Sequence, residues 1–409
     1  MKLDFYPLKN KIQDYSWGSL HGIEEATGIP NVDGSPKAEL WMGSHPVCPS
    51  LVIDPKTRKE ISLLDLINQD CSYYLGNRSL QDFGCKLPYL FKILSAESPL
   101  SLQVHPSLQH ASAGFTRENT MGLSLNDPKR NYKDDNHKPE IIVAITPFIA
   151  MCGFRNVAQT AAFFTEIDET VFQEPCDIAL KSGYSRLCDY LLNLNDDAKK
   201  KYITSVQNKI SSFNRSPSSS CGYDFKKALE ISSLLLKQYP SDIGILAPFY
   251  LNIIELVPGE GLFLPSGVMH AYIRGTGLEL MASSDNVLRG GLTPKHIDVT
   301  ELLEILDPSP YKPDILAINT TVGVSIYAAP AIEFELSRIS PNGSACELPG
   351  NRPIIALCLS ESITLTSESA SVHIMRKGDS VFIPAGVQTI AVAGSGICFA
   401  ASLPHRERS

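Results

Sequence analysis

The spacing of apolar positions changes twice along the 409-residue chain. Over residues 1–155, short apolar runs such as Leu51–Ile53, Leu90–Leu94 and Leu100–Val104 are punctuated by Gly, Pro and Asn, which predicts short strands joined by turns. Between 156 and 245 the period lengthens. Tyr202, Val206, Ile210 and Phe213 recur at helical spacing behind Asn195, Asp196 and Asp197, which can cap a helix start. Phe225, Leu229, Leu235 and Leu236 predict a further helix stopped by Pro240, with a Ser-rich loop over Asn214–Ser220 between the two. Strand-like sequence resumes at Leu251–Val257 and runs to the C-terminus, interrupted by a short helix near Val299–Leu306. The chain reads as a β protein with a helical insertion.

One internal echo sharpens this picture. Gly259-x5-Pro265-x-Gly267-x2-His270 returns 119 residues later as Gly378-x5-Pro384-x-Gly386-x2-Thr389. In each copy the first Gly predicts a turn, the apolar triplet (Leu262–Leu264; Val381–Ile383) a strand, and Pro-x-Gly a second tight turn. The expectation is two equivalent hairpins. The first ends in His and the second in Thr, so only the first can offer an imidazole to a metal.

Composition narrows the class. At roughly 150 residues per domain the length suggests two or three domains, and 43% hydrophobic with 20% charged residues is globular. With 36 basic against 44 acidic residues and a net charge of −8, general nucleic-acid binding is not expected. The longest apolar run, Ile141–Phe154, is broken by Thr146 and Pro147 and is too short to span a membrane. Ten cysteines lie scattered without a Cys-x-x-Cys pair, and the N-terminus lacks the apolar stretch of a signal peptide. The expectation is free thiols in a reducing cytoplasm.

Four side chains carry the candidate chemistry. Gln103 and His105 are two apart in Leu102-Gln103-Val104-His105-Pro106, so a strand sends both to one face, opposite Leu102 and Val104. Glu140 sits where the loop Asn136-His137-Lys138-Pro139 enters the run Ile141–Ala144. Pro139 biases Lys138 to extended backbone, which points Lys138 and Glu140 to the same side. His270 follows the Pro-x-Gly turn at the head of Ala271-Tyr272-Ile273. Each alone reads equally as an ordinary hydrogen-bonded or surface residue. Their conjunction in one β region supplies two imidazoles, an amide oxygen and a carboxylate, a donor set competent for a borderline divalent cation.

The sequence also resembles the type I mannose-6-phosphate isomerases of the cupin superfamily. The likeness runs in order through Tyr15-Ser16-Trp17-Gly18, Ala38–Pro46, Leu102–Pro106, Asn131-Tyr132-Lys133-Asp134, Asn136–Glu140 and Asp285-Asn286-Val287-x-Arg289-x-Gly291-Leu292-Thr293-Pro294-Lys295. It covers residues 1 to about 306; beyond 320 it is architectural. Against the general cupin pattern, Gln-x-His replaces His-x-His, Glu140 follows His105 by 35 residues, and Arg274 stands near where an Asn would follow His270. These departures match the isomerase branch.

The resemblance implies a mainly β fold with a helical insertion: two cupin-type jelly-roll barrels, one catalytic (1–155 and 246–320) and one degenerate (321–409), with helices over 156–245. It implies one Zn²⁺ per chain on Gln103, His105, Glu140 and His270. The expected reaction interconverts D-mannose 6-phosphate and D-fructose 6-phosphate through a cis-enediol, supplying mannose phosphates for nucleotide-sugar synthesis. Arg289 falls on the family's catalytic arginine.

Such an exchange needs a base for the carbon-bound proton, an electrophile for the developing oxyanion and a clamp for the phosphate. Lys138 is the first candidate base and Glu279 its rival or an orienting carboxylate. His137 and Asp285 are candidates for moving protons during ring opening. Arg289 suits an enediolate or phosphate oxygen, Lys92, Ser101 and Lys295 are phosphate candidates, and Trp17, Trp41 and Tyr272 are candidate pocket walls or core aromatics. No nucleic acid, membrane or obligate protein partner is inferred. A metal-dependent oxygenase and a sugar-binding regulator on the same scaffold are the alternatives; Gln103 speaks against the first, and the basic residues around a full ligand set against the second.

Overall fold

The computed structural model describes residues 2–215, 221–341 and 343–405. Its central feature is one long strand, His270–Ala282. Its first residues pair with Phe148–Phe154 and, at His270, with Gln103. Its second half pairs with Tyr89–Ala96 on one side and Glu140–Ala144 on the other. A straight strand would hold residues 270 and 281 roughly 36 Å apart. Here the register slips between Tyr272 and Arg274, and Gly275 takes φ +128°, where a Cβ would stand 2.7 Å from Phe148 and Pro147. That bend curls the ten-stranded sheet, so both ends of the strand serve one interior.

The two faces of this sheet bury different things. Ile142, Ala144, Leu94, Cys152, Leu262 and Tyr272 fill the inside. Ile141, Val143, Leu278 and Leu280 point the other way, into a core shared with Phe334, Leu336, Ile355, Phe382 and Phe399 of the C-terminal sheet. All eight residues of Tyr89–Ala96 are therefore buried, which explains a mostly apolar sequence interrupted only by Lys92 and Ser95. Leu102 and Val104 face a third core, with Phe163, Phe172, Tyr202, Val206, Phe225 and Leu229 of the helices.

The helical block comprises Val157–Asp168, Gln173–Leu192, Asp196–Arg215 and Gly222–Gln238. Asn195 caps the third by accepting from the Ala198 amide at 2.9 Å. The expected Ser-rich loop is helical at Asn214 and Arg215, and 216–220 lie outside the described residues. Among the described residues, no helix is long and apolar enough to cross a membrane.

Beyond residue 318 a seven-stranded sheet faces a four-stranded one across Ile339, Leu348, Ala356, Leu365, Val381, Ile390 and Val392. Tyr6–Pro7, near the start of the chain, forms an edge of the larger sheet against Val381 and Phe382.

Three expectations need correction. Residues 1–155 are not all strand and turn: Leu63–Gln69, Cys71–Phe83 and Leu108–Thr120 are helices capped by Ser62, Asp70 and Ser107. The third buries only Ala111, Gly114 and Glu118, so it shows no large apolar stripe; Gly114 is small because the Tyr132 ring would stand 2.3 Å from a Cβ. The Pro-x-Gly repeats are not hairpins. Gly261–Leu264 pairs with Glu140–Ala144 and not with the strand that follows from His270, and Ser380–Ile383 pairs with Ile354–Ser360 and Tyr6–Pro7 and not with the strand that follows from Thr389. Each turn lifts the chain across the wall of its barrel instead of folding it back on itself. Not all thiols are free: Cys71 and Cys85 form a disulfide with Cα atoms 5.5 Å apart. Gly76, at φ +81°, breaks the intervening helix and lets its ends meet.

Candidate metal centre

His105 follows directly on the strand Leu102–Val104, and Glu140 and His270 are the first residues of theirs. Two turns bring them together. Pro139 directs the chain into Glu140, and Gly267, at φ +83°, donates its amide to the His105 carbonyl at 2.8 Å, tying the two histidine segments. His105 Nε2 lies 3.5 Å from Glu140 Oε1, and His270 Nε2 3.6 Å from Glu140 Oε2. Exposure is 0% for both histidines and 1% for Glu140.

The ring nitrogens are not equivalent. His105 Nδ1 donates to the Asn286 carbonyl at 2.8 Å and His270 Nδ1 to that of Val268 at 2.9 Å, which leaves each Nε2 as a lone pair. Both Nε2 atoms and Glu140 Oε2 are buried without a hydrogen-bond partner, while Glu140 Oε1 faces the Lys138 ammonium. Burial, reinforced by the Lys138 charge, pushes the His105 pKa down to about 4, so its imidazole stays neutral. Burial would raise the Glu140 carboxyl, but Lys138 and His105 hold it well below the usual range. Ligands about 2.1 Å from a tetrahedral zinc stand about 3.4 Å apart. The three donors, with ligand atoms within 4.8 Å of one another, fit such an ion.

Gln103 is the register partner of His270 on one side and Arg289 on the other. Directly opposed residues present side chains to the same face, so amide, imidazole and guanidinium form one row. Lys138 Nζ is 2.5 Å from Glu140 Oε1, with Lys138 8% exposed.

A second buried cluster shares this interior. Glu279 and Trp41 are both register partners of Lys92. Lys92 Nζ lies 3.0 Å from Glu279 Oε2 and 3.5 Å from Glu39 Oε1, and Trp41 Nε1 donates to Glu39 at 2.7 Å. Burial alone would lower the Lys92 pKa, but Glu279 and Glu39 raise it, so the ammonium persists. For Glu279 burial wins over Lys92, with Glu140 adding to it, and its carboxyl is raised. Lys92 thus differs from the other phosphate candidates, its charge being matched by two carboxylates.

Arg289, Lys295 and Lys133 form a separate basic group. Burial lowers the Arg289 pKa; burial and then the Arg289 and Lys133 charges lower that of Lys295. Ser101 is half-buried one residue before the Gln103 strand. Tyr272 is buried edge-on to Phe148, its ring 6.3 Å from His270, and Trp17 is half-buried against the same core, stacked on Tyr15.

Asp285 Oδ2 lies 3.4 Å from His45 Nε2 at an exposed edge. Burial pushes its carboxyl up, but His45, Lys138 and Lys92 bring it below the ordinary value. His137 turns away from the ligand set: its Nε2 is 2.6 Å from Glu333 Oε1.

Sequence reasoning assigned no role to Lys133, His45, Glu39 or Asn286. All four lie in the stretches that carry the family resemblance, which was their available signal. Asn286 both accepts from His105 and ties the Lys133 amide and Asn136 carbonyl at 2.7 and 2.8 Å; its spacing alone does not mark that tying role.

The family described as phosphomannose isomerase type I, catalytic domain, matches residues 5–157. The chain is 34% identical to the mannose-6-phosphate isomerase of Escherichia coli over 398 residues, covering 95% of this chain and 97% of that one. It is 32% identical to the human protein of that name over 420 residues, covering 96% and 92%. Among solved structures, a histidine-to-alanine variant of phosphomannose isomerase from Salmonella typhimurium superposes with a TM-score of 0.89 at 31% identity, covering 98% and 100%. A zinc-bound mannose 6-phosphate isomerase gives 0.88 at 31%, with the same coverage.

Proposed function

Because the chain belongs to the type I mannose-6-phosphate isomerase family, we propose which of its residues carry the family's reaction. The enzyme is a zinc-dependent isomerase that interconverts D-mannose 6-phosphate and D-fructose 6-phosphate. Gln103, His105, Glu140 and His270 hold the zinc. The observation that carries this is the convergence of His105 Nε2 and His270 Nε2, both buried without a hydrogen-bond partner, on the buried Glu140 carboxylate beside the Gln103–Arg289 row. Zinc, when bound, supplies Lewis-acid polarisation of a sugar oxygen.

The chain's own groups do the rest. Arg289, permanently charged and free of any close carboxylate that shifts it, stabilises the oxyanion that develops on the sugar. Lys295 and Lys133, electrostatically coupled to Arg289, receive the phosphate together with Ser101. Lys138, in contact with the ligand set, takes the carbon-bound proton. A second reading gives that proton to Glu279, favoured by its raised carboxyl and by the ion pair that engages the Lys138 side chain with Glu140. His45 and Asp285 move protons during ring opening.

The zinc-binding unit comprises 1–155 and 246–320, the helical unit 156–245 and the C-terminal barrel 321–409, with Tyr6–Pro7 crossing to the last. The enzyme works in the cytoplasm and without an obligate protein partner. Metal analysis with a coupled mannose 6-phosphate assay tests the assignment. Bound zinc and turnover that is lost in His270→Ala are expected; zinc retained by His105→Ala and His270→Ala alike overturns the ligand set.

A further inference from the structure

The C-terminal sheet reaches the catalytic loop at one charged contact. Glu333 lies between the strands Val324–Tyr327 and Glu335–Ile339, 3% exposed, beside Phe334, which is packed in the core that also holds Ile141 and Leu278. Its Oε1 is 2.6 Å from His137 Nε2, and its Oε2 is buried without a hydrogen-bond partner. A buried carboxylate with one imidazole as its partner holds that imidazole firmly.

His137 is next to Lys138, whose ammonium is 2.5 Å from Glu140. Neighbouring residues of extended chain point to opposite sides, so the grip on His137 fixes the direction of Lys138. Upstream, Asn286 ties the loop at Lys133 and Asn136; downstream, the strand begins at Glu140. The stretch between these anchors is held from outside by Glu333.

We propose that Glu333 is a positioning residue for the isomerisation: through His137 it keeps Lys138 aimed at the metal-facing carboxylate, making the C-terminal sheet part of the active-site architecture. This rests on the reading that Lys138 and Glu140 belong to the catalytic machinery.

The test uses the full-length, zinc-loaded enzyme. Glu333→Ala is expected to lower kcat about tenfold or more, with zinc content unchanged and KM within about twofold. Glu333→Gln, whose amide oxygen still accepts from Nε2–H, recovers most of the loss. In a His137→Asn background Glu333→Ala has no further effect, because the residue acts through the imidazole. Wild-type kcat in Glu333→Ala, or an equal loss with and without His137, overturns the proposal. Should Glu333→Ala not fold, long-range ¹H–¹⁵N spectra of Glu333→Gln decide: a disordered His137 tautomer with unchanged kcat also overturns it. A wild-type enzyme without zinc or turnover would instead sink the functional assignment.

Discussion

Arg289 stands directly across the sheet from Gln103, which stands directly across from His270. The guanidinium therefore extends the row that Gln103 and His270 form. Arg289→Ala should lower kcat about 10²–10³-fold while zinc content stays at the wild-type level. Steady-state kinetics with metal analysis checks this; loss of zinc in parallel would assign Arg289 to the metal shell.

The two candidate bases separate by isotope exchange. Lys138→Met should abolish exchange of the C2 proton with solvent and reduce turnover about 10²–10⁴-fold. If exchange survives in Lys138→Met and vanishes in Glu279→Gln, the raised Glu279 carboxyl is the base. The readout is proton NMR of mannose 6-phosphate in deuterated buffer.

One strand carries stability and chemistry on opposite faces. Leu102 is fully buried against the helices, so Leu102→Ala should cost about 2–5 kcal/mol and leave zinc binding intact. Gln103→Ala should weaken zinc with little change in the unfolding midpoint of the metal-free protein. Chemical denaturation and zinc titration of both variants make the comparison, and coincident effects would contradict the division of faces.

The N-terminal segment is held to the C-terminal sheet by a titratable clasp. Asp4 accepts from Ser367 and Ser369; burial raises its carboxyl, but the hydroxyls of Ser367, Ser369 and Ser371 outweigh that and lower it. A depressed carboxyl stabilises the fold above its unfolded pKa, near 4, and loses that contribution as pH falls through its folded value. Asp4→Asn should therefore flatten the fall in stability below about pH 4 and leave turnover at neutral pH unchanged. Thermal melts from pH 7 to pH 3 test it; an unaltered acid limb would remove Asp4 from that role.

What the order of residues by itself determined follows from interactions between near neighbours. Period-two alternation sent Gln103 away from Leu102 and Val104, Pro139 aligned Lys138 with Glu140, and helical spacing with the Asn195 cap outlined the insertion. The helix Leu108–Thr120 escaped because its inner face is Ala111, Gly114 and Glu118, with no large apolar residue. What only the tertiary structure decided depends on closure. The bend at Gly275 curls the sheet until Glu140 meets His270, Gly76 folds a helix until Cys71 meets Cys85, and stacking of the two sheets sets Glu333 against His137. Contacts between residues more than a hundred positions apart, as in two of these three, are fixed by how curved sheets close and pack, and no local pattern encodes that distance.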